Sequence, residues 1–316
     1  MDPRALWNLR PIQSVTLITH KYFGNLALGG KLGNQIFEYA ALFSIAKKNG
    51  YEFGFAETQV ETFRKSFLFK SAKILPDPYM NKIIEAMEEY TEQETPDMEV
   101  LSVQDNTAIE GFFQSEKYFE ATREELQTEL QYSPELRQLA ERTLRQVRQE
   151  VASTPGFDEN EIEIVSVHHR RGDFVACDFP CLPMEYYVNC FSKFDPKKTV
   201  FVLCSDEMQT AIEMFDPVLG ENYMIVASPF SVEVGPEFYD VAPGKANLLN
   251  VWNPTIDMCL MSLCDHSIIA NSSFSWWATW FYDRPDKKIL APPVWFKDTE
   301  TKNLSLCRDK WDIVSY

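Results

Sequence analysis

Two adjacent arginines flanked by imidazoles and a carboxylate, His168-His169-Arg170-Arg171-Gly172-Asp173, form the densest group of chemically capable side chains in the sequence. They follow an alternating apolar run, Ile162-Glu163-Ile164-Val165-Ser166-Val167, that reads as a strand. Arginines at a strand end, followed by a glycine that lets the backbone turn, make a local cation cluster. The chain around them carries a formal net charge of -17. A guanidinium pair of this kind suits an anionic ligand, and a diphosphate fits its fork geometry.

Two other segments share that position after a strand. Ser205-Asp206-Glu207 follows the run 199–204, and Asn271-Ser272-Ser273-Phe274-Ser275 follows 267–270 and opens a helix. Carboxylates at the first could hold a guanine edge or ribose hydroxyls. Hydroxyls and backbone N–H groups at the second could hold phosphate. Taken alone, Ser205-Asp206-Glu207 reads better as a helix cap with first-turn acids. The second segment reads equally as a cap with a packed helix, and Trp276, Trp277 and Trp280 as core. Arg171-Gly172-Asp173 also spells an adhesion tripeptide, but a position at the mouth of a buried strand argues against that use.

The elements that must position these groups alternate. Strands are expected at 15–19, 51–55, 162–168, 199–204, 223–227, 267–270 and, last, 288–290. Helices are expected from the Gly29-Gly30-Lys31-Leu32-Gly33-Asn34-Gln35 turn to Asn49, then at 134–151, 183–194, 208–215, 257–263 and 276–282. The glutamate-rich stretch 81–99 reads as a solvated helix face and loop. Ser153-Thr154-Pro155-Gly156 reads as an interdomain break. The result is an α/β chain of two Rossmann-like domains, 1–155 and 156–316. Its 316 residues suffice for two cores.

Composition narrows the partners. An acidic chain without a basic face is unsuited to nucleic acid or to an anionic membrane surface. No run approaches the roughly 20 apolar residues of a membrane helix, and Met1 to Arg10 lacks a secretory layout. A cytoplasmic chain is expected, or a Golgi membrane or luminal one if an N-terminal anchor is missing. Seven cysteines are too odd a number for a complete disulfide framework. Free thiols are the better reading, with a Cys177–Cys181 staple the alternative. The four histidines, His20, His168, His169 and His266, do not pair with cysteines at zinc-ligand spacing. The chain contains no Asp-x-Asp, so no obvious carboxylate pair would hold a metal on a diphosphate. Gly29-Gly30-x-x-Gly33 does not fit the dinucleotide fingerprint of a dehydrogenase.

His168-x-Arg170-Arg171-Gly172-Asp173 resembles the H-x-R-R-G-D motif of GDP-fucose-dependent fucosyltransferases. Further segments resemble the α-1,2-fucosyltransferases of glycosyltransferase family 11. They are Gly30-Lys31-Leu32-Gly33-Asn34-Gln35, Gly111-Phe112-Phe113-Gln114-Ser115, Leu203-Cys204-Ser205-Asp206-Glu207, and His266-Ser267-Ile268-Ile269-Ala270-Asn271-Ser272-Ser273-Phe274-Ser275-Trp276-Trp277. Glu207, Ser273 and Ala278-Thr279 depart mildly from the family pattern, and 20–28 has no clear counterpart.

The resemblance implies a GT-B fold whose two domains, 1–155 on the acceptor side and 156–316 on the donor side, face a central cleft. It implies an inverting transfer of L-fucose from GDP-β-L-fucose to a galactose-terminated glycan, with no metal and no other cofactor. Arg170 would then reach the β-phosphate, while Arg171 ties down Asp173 or a second phosphate oxygen. His168, Asp206 and Glu207 would hold the nucleoside, with Asn271, Ser273, Phe274 and Ser275 around phosphates and base. Asp173 is a weak candidate for the catalytic base. The rivals are a fucosyltransferase of another linkage and an inactive GDP-sugar or glycan-binding module.

Overall fold

The computed structural model describes residues 17–25, 31–93, 96–177, 179–219, 224–227, 254–297 and 306–316. The chain divides into two compact units, Met1–Gln131 and Tyr132–Tyr316.

In the first unit the strands are β1 (Leu17–His20), β2 (Glu52–Ala56), β3 (Phe67–Leu68), β4 (Lys73–Leu75), β5 (Glu88–Thr91) and β6 (Thr107–Glu110). Five of them form one parallel sheet in the order β4-β2-β1-β6-β5. A central parallel strand is covered on both faces and therefore reads as a continuous apolar run. Leu17 and Ile18 of β1 are fully buried. Helix α1 (Leu32–Asn49) is buried almost all round as far as Ala46. It stops at Gly50, whose φ of 71° is the left-handed conformation that ends helices, and Lys47 and Lys48 face the negative end of its dipole. The shorter helices are α2 (Glu61–Ser66), α3 (Asp77–Glu85) and α4 (Arg123–Glu129).

The boundary between the units falls within the short strand β7 (Gln131–Tyr132). Helix α5 (Pro134–Ala152), expected in the N-terminal domain, belongs to the second unit. Ser133 caps it, its Oγ accepting from the Leu136 N–H, and Pro134 occupies a first-turn position where no N–H is needed. Leu136, Ala140, Thr143, Val147 and Val151 form its buried stripe, and it packs on α9 (Pro254–Leu263). The expected break at 153–156 is therefore a turn inside the second unit, because the helix before it finds its apolar partner there.

The second unit holds β8 (Glu163–His169), β9 (Thr199–Ser205), β10 (Met224–Ala227), β11 (His266–Ile268), β12 (Ile289–Ala291) and β13 (Asp312–Ile313). They form one parallel sheet in the order β10-β9-β8-β11-β12-β13. The remaining helices are α6 (Gly172–Ala176), α7 (Met184–Phe191), α8 (Met208–Leu219) and α10 (Ser273–Phe281). After β8 the chain builds β9 and β10 on one side, then returns to lay β11 on the other. The carboxyl ends of β8, β9 and β11 thus lie side by side at the point where strand order reverses. Trp276, Trp277 and Trp280 are fully buried and serve as core.

Six strands, β3, β4, β5, β6, β7 and β13, fall outside the ranges expected from the sequence. Sheet-edge strand β5 lies inside the stretch that reads as helix and loop, and β13 follows the strand expected to be last. Strand 15–19 begins at Leu17 among the described residues, and Gly29, Gly30 and Tyr223 lie outside them.

Candidate active site at the end of the C-terminal sheet

In-register pairing of β8 with β9 sets His168 opposite Cys204 and His169 opposite Ser205. The residues that follow each strand are thereby brought into contact. Arg170 is held by two carboxylates: its Nη2 donates to Asp173 Oδ1, and its Nη1 lies 2.8 Å from Asp206 Oδ2. The other oxygen of Asp206 accepts from the Arg171 backbone N–H at 3.1 Å. The Arg171 side chain turns elsewhere, its Nε lying 3.5 Å from Glu207 Oε2. The expected Arg171–Asp173 tie is thus made by Arg170, since Asp173 comes round on the first turn of α6 to the i+3 position. Arg170 Nε is buried and has no hydrogen-bond partner.

Gly172 serves space rather than a turn. A β-carbon there would sit 2.5 Å from Asp206 Oδ2. Only glycine lets the carboxylate reach both arginines, a close-approach role that the sequence pattern around it does not disclose.

Both histidines are buried. His168 Nδ1 has no partner, and its ring packs against Phe274 with centroids 5.4 Å apart. Burial, reinforced by the Arg170 charge, holds its pKa well below the usual value and keeps it neutral. His169 was not among the expected site residues. Its Nδ1 lies 3.0 Å from Ser205 Oγ, which also accepts from the Glu207 N–H. Burial lowers its pKa to about 4. This pair fixes the turn that presents Asp206 and Glu207. Its signal in the sequence was the register of two seven-residue strands, which no local pattern reveals.

The third segment contributes less than expected. Ser272 is the N-cap of α10, its Oγ accepting from the Phe274 N–H. Ser275 is fully buried and donates to backbone oxygens of Ala270 and Ser272, so its hydroxyl is turned inward, away from any phosphate. Asn271 is buried too, and its Nδ2 donates to Pro180 and Trp295 carbonyls; only its Oδ1 lacks a partner. Both act as struts for the loop. Ser273 and Phe274 at the helix start are the partly exposed members.

In the first unit, Gln114 Nε2 donates to Asn34 Oδ1 at 2.8 Å, joining two segments 80 positions apart that carry the family resemblance. Among the described residues no group of three or more His, Cys, Asp and Glu is placed to hold a metal ion. All seven cysteines are free thiols, so the Cys177–Cys181 staple is not formed. No described helix is long and apolar enough to cross a membrane.

Comparison with known proteins bears on this geometry. The model of the family described as Glycosyl transferase family 11 matches residues 3–229 and 244–314. The O-antigen biosynthesis glycosyltransferase WbnK of Escherichia coli is 31% identical over 160 residues, covering 46% of this chain and 43% of that protein. An alpha-1,2-colitosyltransferase of Escherichia coli is 30% identical over 154 residues, 46% of each chain. Galactoside alpha-(1,2)-fucosyltransferase 1 of Rattus norvegicus is 24% identical over 271 residues, 80% of this chain and 61% of that one. The matches thus span about half of the length of these relatives. Among solved structures, a mutant of Arabidopsis thaliana FUT1 in complex with GDP superposes with a TM-score of 0.51 at 14% identity, covering 91% of this chain and 73% of that one. That likeness is one of fold, GT-B-like with parallel sheets in two units.

Proposed function

The chain belongs to glycosyl transferase family 11, and from that premise we propose that it moves L-fucose from GDP-β-L-fucose to the 2-hydroxyl of a terminal galactoside, with inversion. Family membership implies a nucleotide-sugar donor and a glycan acceptor. The donor sugar and linkage are inferred from relatives named as α-1,2-fucosyl- and α-1,2-colitosyltransferases. Both sugars carry a methyl at C6, and colitose lacks the 3-hydroxyl as well.

One observation carries the reading. The Arg170 guanidinium is held at the ends of β8 and β9 by carboxylates that occupy the places phosphate oxygens would take. Carboxylate and phosphate oxygens accept from a guanidinium in the same fork geometry, so the two acids keep the arginine aimed. Donor diphosphate would displace Asp173, the more exposed of the two acids, while Asp206 goes on holding Arg170 and the Arg171 backbone. Arg171 would turn from Glu207 to a second phosphate oxygen. His168 and Phe274 would flank the nucleotide, with Ser273 beside the phosphates and Glu207, once released, at the guanine edge.

In the transfer the acceptor oxygen bonds to the anomeric carbon from the face opposite GDP, as the bond from that carbon to the β-phosphate oxygen breaks. GDP leaves with the electron pair, and the acceptor proton passes to Asp173 or to water. Arg170 stabilises the charge that gathers on the leaving phosphate, so no metal is required for that role.

The test is transfer from GDP-fucose to β-galactosides, with and without EDTA, by the wild type and Arg170→Ala. Wild-type turnover should resist EDTA, and Arg170→Ala should lose on the order of 10²–10³ in turnover. Full activity of Arg170→Ala removes the assigned role, and abolition by EDTA removes the metal-free mechanism. A wild type that binds GDP without ever transferring fucose overturns the reading in favour of a binding module.

A further inference from the structure

An apolar surface adjoins the arginine fork, and the phosphate chemistry makes no use of it. The Arg170 guanidinium carbon stands 5.2 Å from the centre of the Phe174 ring. Phe174 packs on Phe179 with centroids 5.1 Å apart, and Phe179 reaches Phe296 at 6.5 Å. Val175, which follows Phe174 on α6, is 56% exposed and Phe179 is 41% exposed. The loop that carries them is held by its own backbone: Val175 N–H donates to Arg171 O, Cys177 N–H to Asp173 O and Phe179 N–H to Phe174 O, at 3.1, 2.8 and 2.9 Å. Single exposed apolar side chains are ordinary on protein surfaces. A run of three phenylalanines leading away from one guanidinium, with an exposed valine next to the first of them in the chain, is not, because the exposed apolar atoms are kept in water with no gain to the fold.

We propose that Phe174, Val175 and Phe179 form the wall that receives the C6 methyl of the donor's 6-deoxyhexose. The inference rests on the assignment of a GDP-linked 6-deoxy sugar as donor. The pyranose is joined to the terminal phosphate through one oxygen, so a phosphate held by Arg170 leaves the sugar within reach of the ring that lies against that same guanidinium. A 6-deoxyhexose differs from its parent hexose in carrying a methyl where the parent carries CH2OH. A methyl against aromatic carbon gains from leaving water. A hydroxymethyl in the same place would bury a hydroxyl with no partner, since none of these side chains can donate or accept. Discrimination of this kind reaches about 10–100-fold for one group in an apolar pocket.

The experiment uses the full chain and one galactoside acceptor, with two donors: GDP-L-fucose and its 6-hydroxylated counterpart GDP-L-galactose. The ratio of their kcat/KM values is measured for the wild type, Val175→Ser and Phe179→Ser, with GDP affinity titrated separately. The wild type should prefer GDP-L-fucose by about 10–100-fold. In the variants the ratio should collapse towards unity while GDP affinity holds. An unchanged ratio in both variants overturns the proposal. So does an equal loss on both donors accompanied by weaker GDP binding, which would mean that the loop only supports Arg170. A change confined to the acceptor KM also overturns it and reassigns the patch to the acceptor. A wild type that transfers fucose yet ignores the C6 group defeats this inference alone; one that transfers no fucose defeats the functional reading beneath it.

Discussion

Two guanidinium charges, on Arg170 and Arg171, meet three carboxylates, on Asp173, Asp206 and Glu207, so the cluster holds one more acidic group than basic. The cation cluster expected from the sequence is thus neutralised by its own neighbours. Asp206 is the piece that determines whether it can open, because it holds both arginines at once. Gly172→Ala should test this without removing any charge. The added β-carbon displaces Asp206 Oδ2 and breaks at least one charge-assisted bond, each worth about 1.5–3 kcal/mol. Turnover should fall by about 10–100-fold, with near-native circular dichroism and a GDP affinity reduced in step. Normal turnover in a folded Gly172→Ala protein would count against Asp206 as the organiser. The residue types of this site were legible because six of them are adjacent in the chain. Their pairings were not: Arg171 and Asp206 are 35 positions apart and meet only through strand register.

At the scale of elements, helix α1 buries a carboxyl that its amphipathic pattern did not announce. Glu38 is fully buried, neither of its oxygens has a hydrogen-bond partner, and His20 Nδ1 stands 3.8 Å from its Oε2. His20 Nε2 faces the Gly111 carbonyl at 2.8 Å, which can only accept, so the proton sits on Nε2 and Nδ1 is left as an acceptor. Burial raises the Glu38 pKa well above its ordinary value, so the folded helix resists the ionisation that the unfolded chain undergoes freely. A raised acid costs stability above the unfolded pKa. Glu38→Gln, isosteric and always neutral, should therefore raise the melting temperature at pH 7, and the gain should vanish as pH falls to about 4.5. A melting temperature lowered at pH 7 would mean that Glu38 is ionised and paired. Strands β1 and β2, the interior strands of the second unit and the long helices of both were legible because burial on two faces, or on one stripe, writes itself into apolar spacing. The edge strand β5, Glu88–Thr91, was not, since an edge strand can be polar and its acidic sequence imitates a solvated helix. The allegiance of α5 was equally hidden, because its stripe specifies that it must pack and not on what.

For the molecule as a whole, the unusual limb of the stability curve should be the mildly acidic one. With a net charge of -17 at neutral pH and a sequence pI near 4.7, self-repulsion weakens as the solution is acidified, and charge alone would let stability rise. The histidines work in the opposite direction. His20 and His169 both have pKa values lowered by burial to about 4, against 6.5 in the unfolded chain, and burial also holds His168 well below its ordinary value. Above pH 6.5 these groups are neutral in both states and cost nothing. Between 6.5 and 4 the unfolded chain takes up protons that the folded one refuses, so stability falls with pH across that window and levels off below it. For His20 and His169 the loss is roughly 3 kcal/mol each, large against a total of about 5–15 kcal/mol. Glu38 offsets part of it, so the Glu38→Gln protein should start higher at pH 7 and descend more steeply, meeting the wild type near pH 4.5. Urea unfolding from pH 7.5 to 4 checks this: the decline should begin near 6.5, persist at raised salt, and flatten in His20→Gln. A decline that begins only below 4.5, or that salt abolishes, would assign acid unfolding to carboxylates or to net charge and release the buried imidazoles from the role.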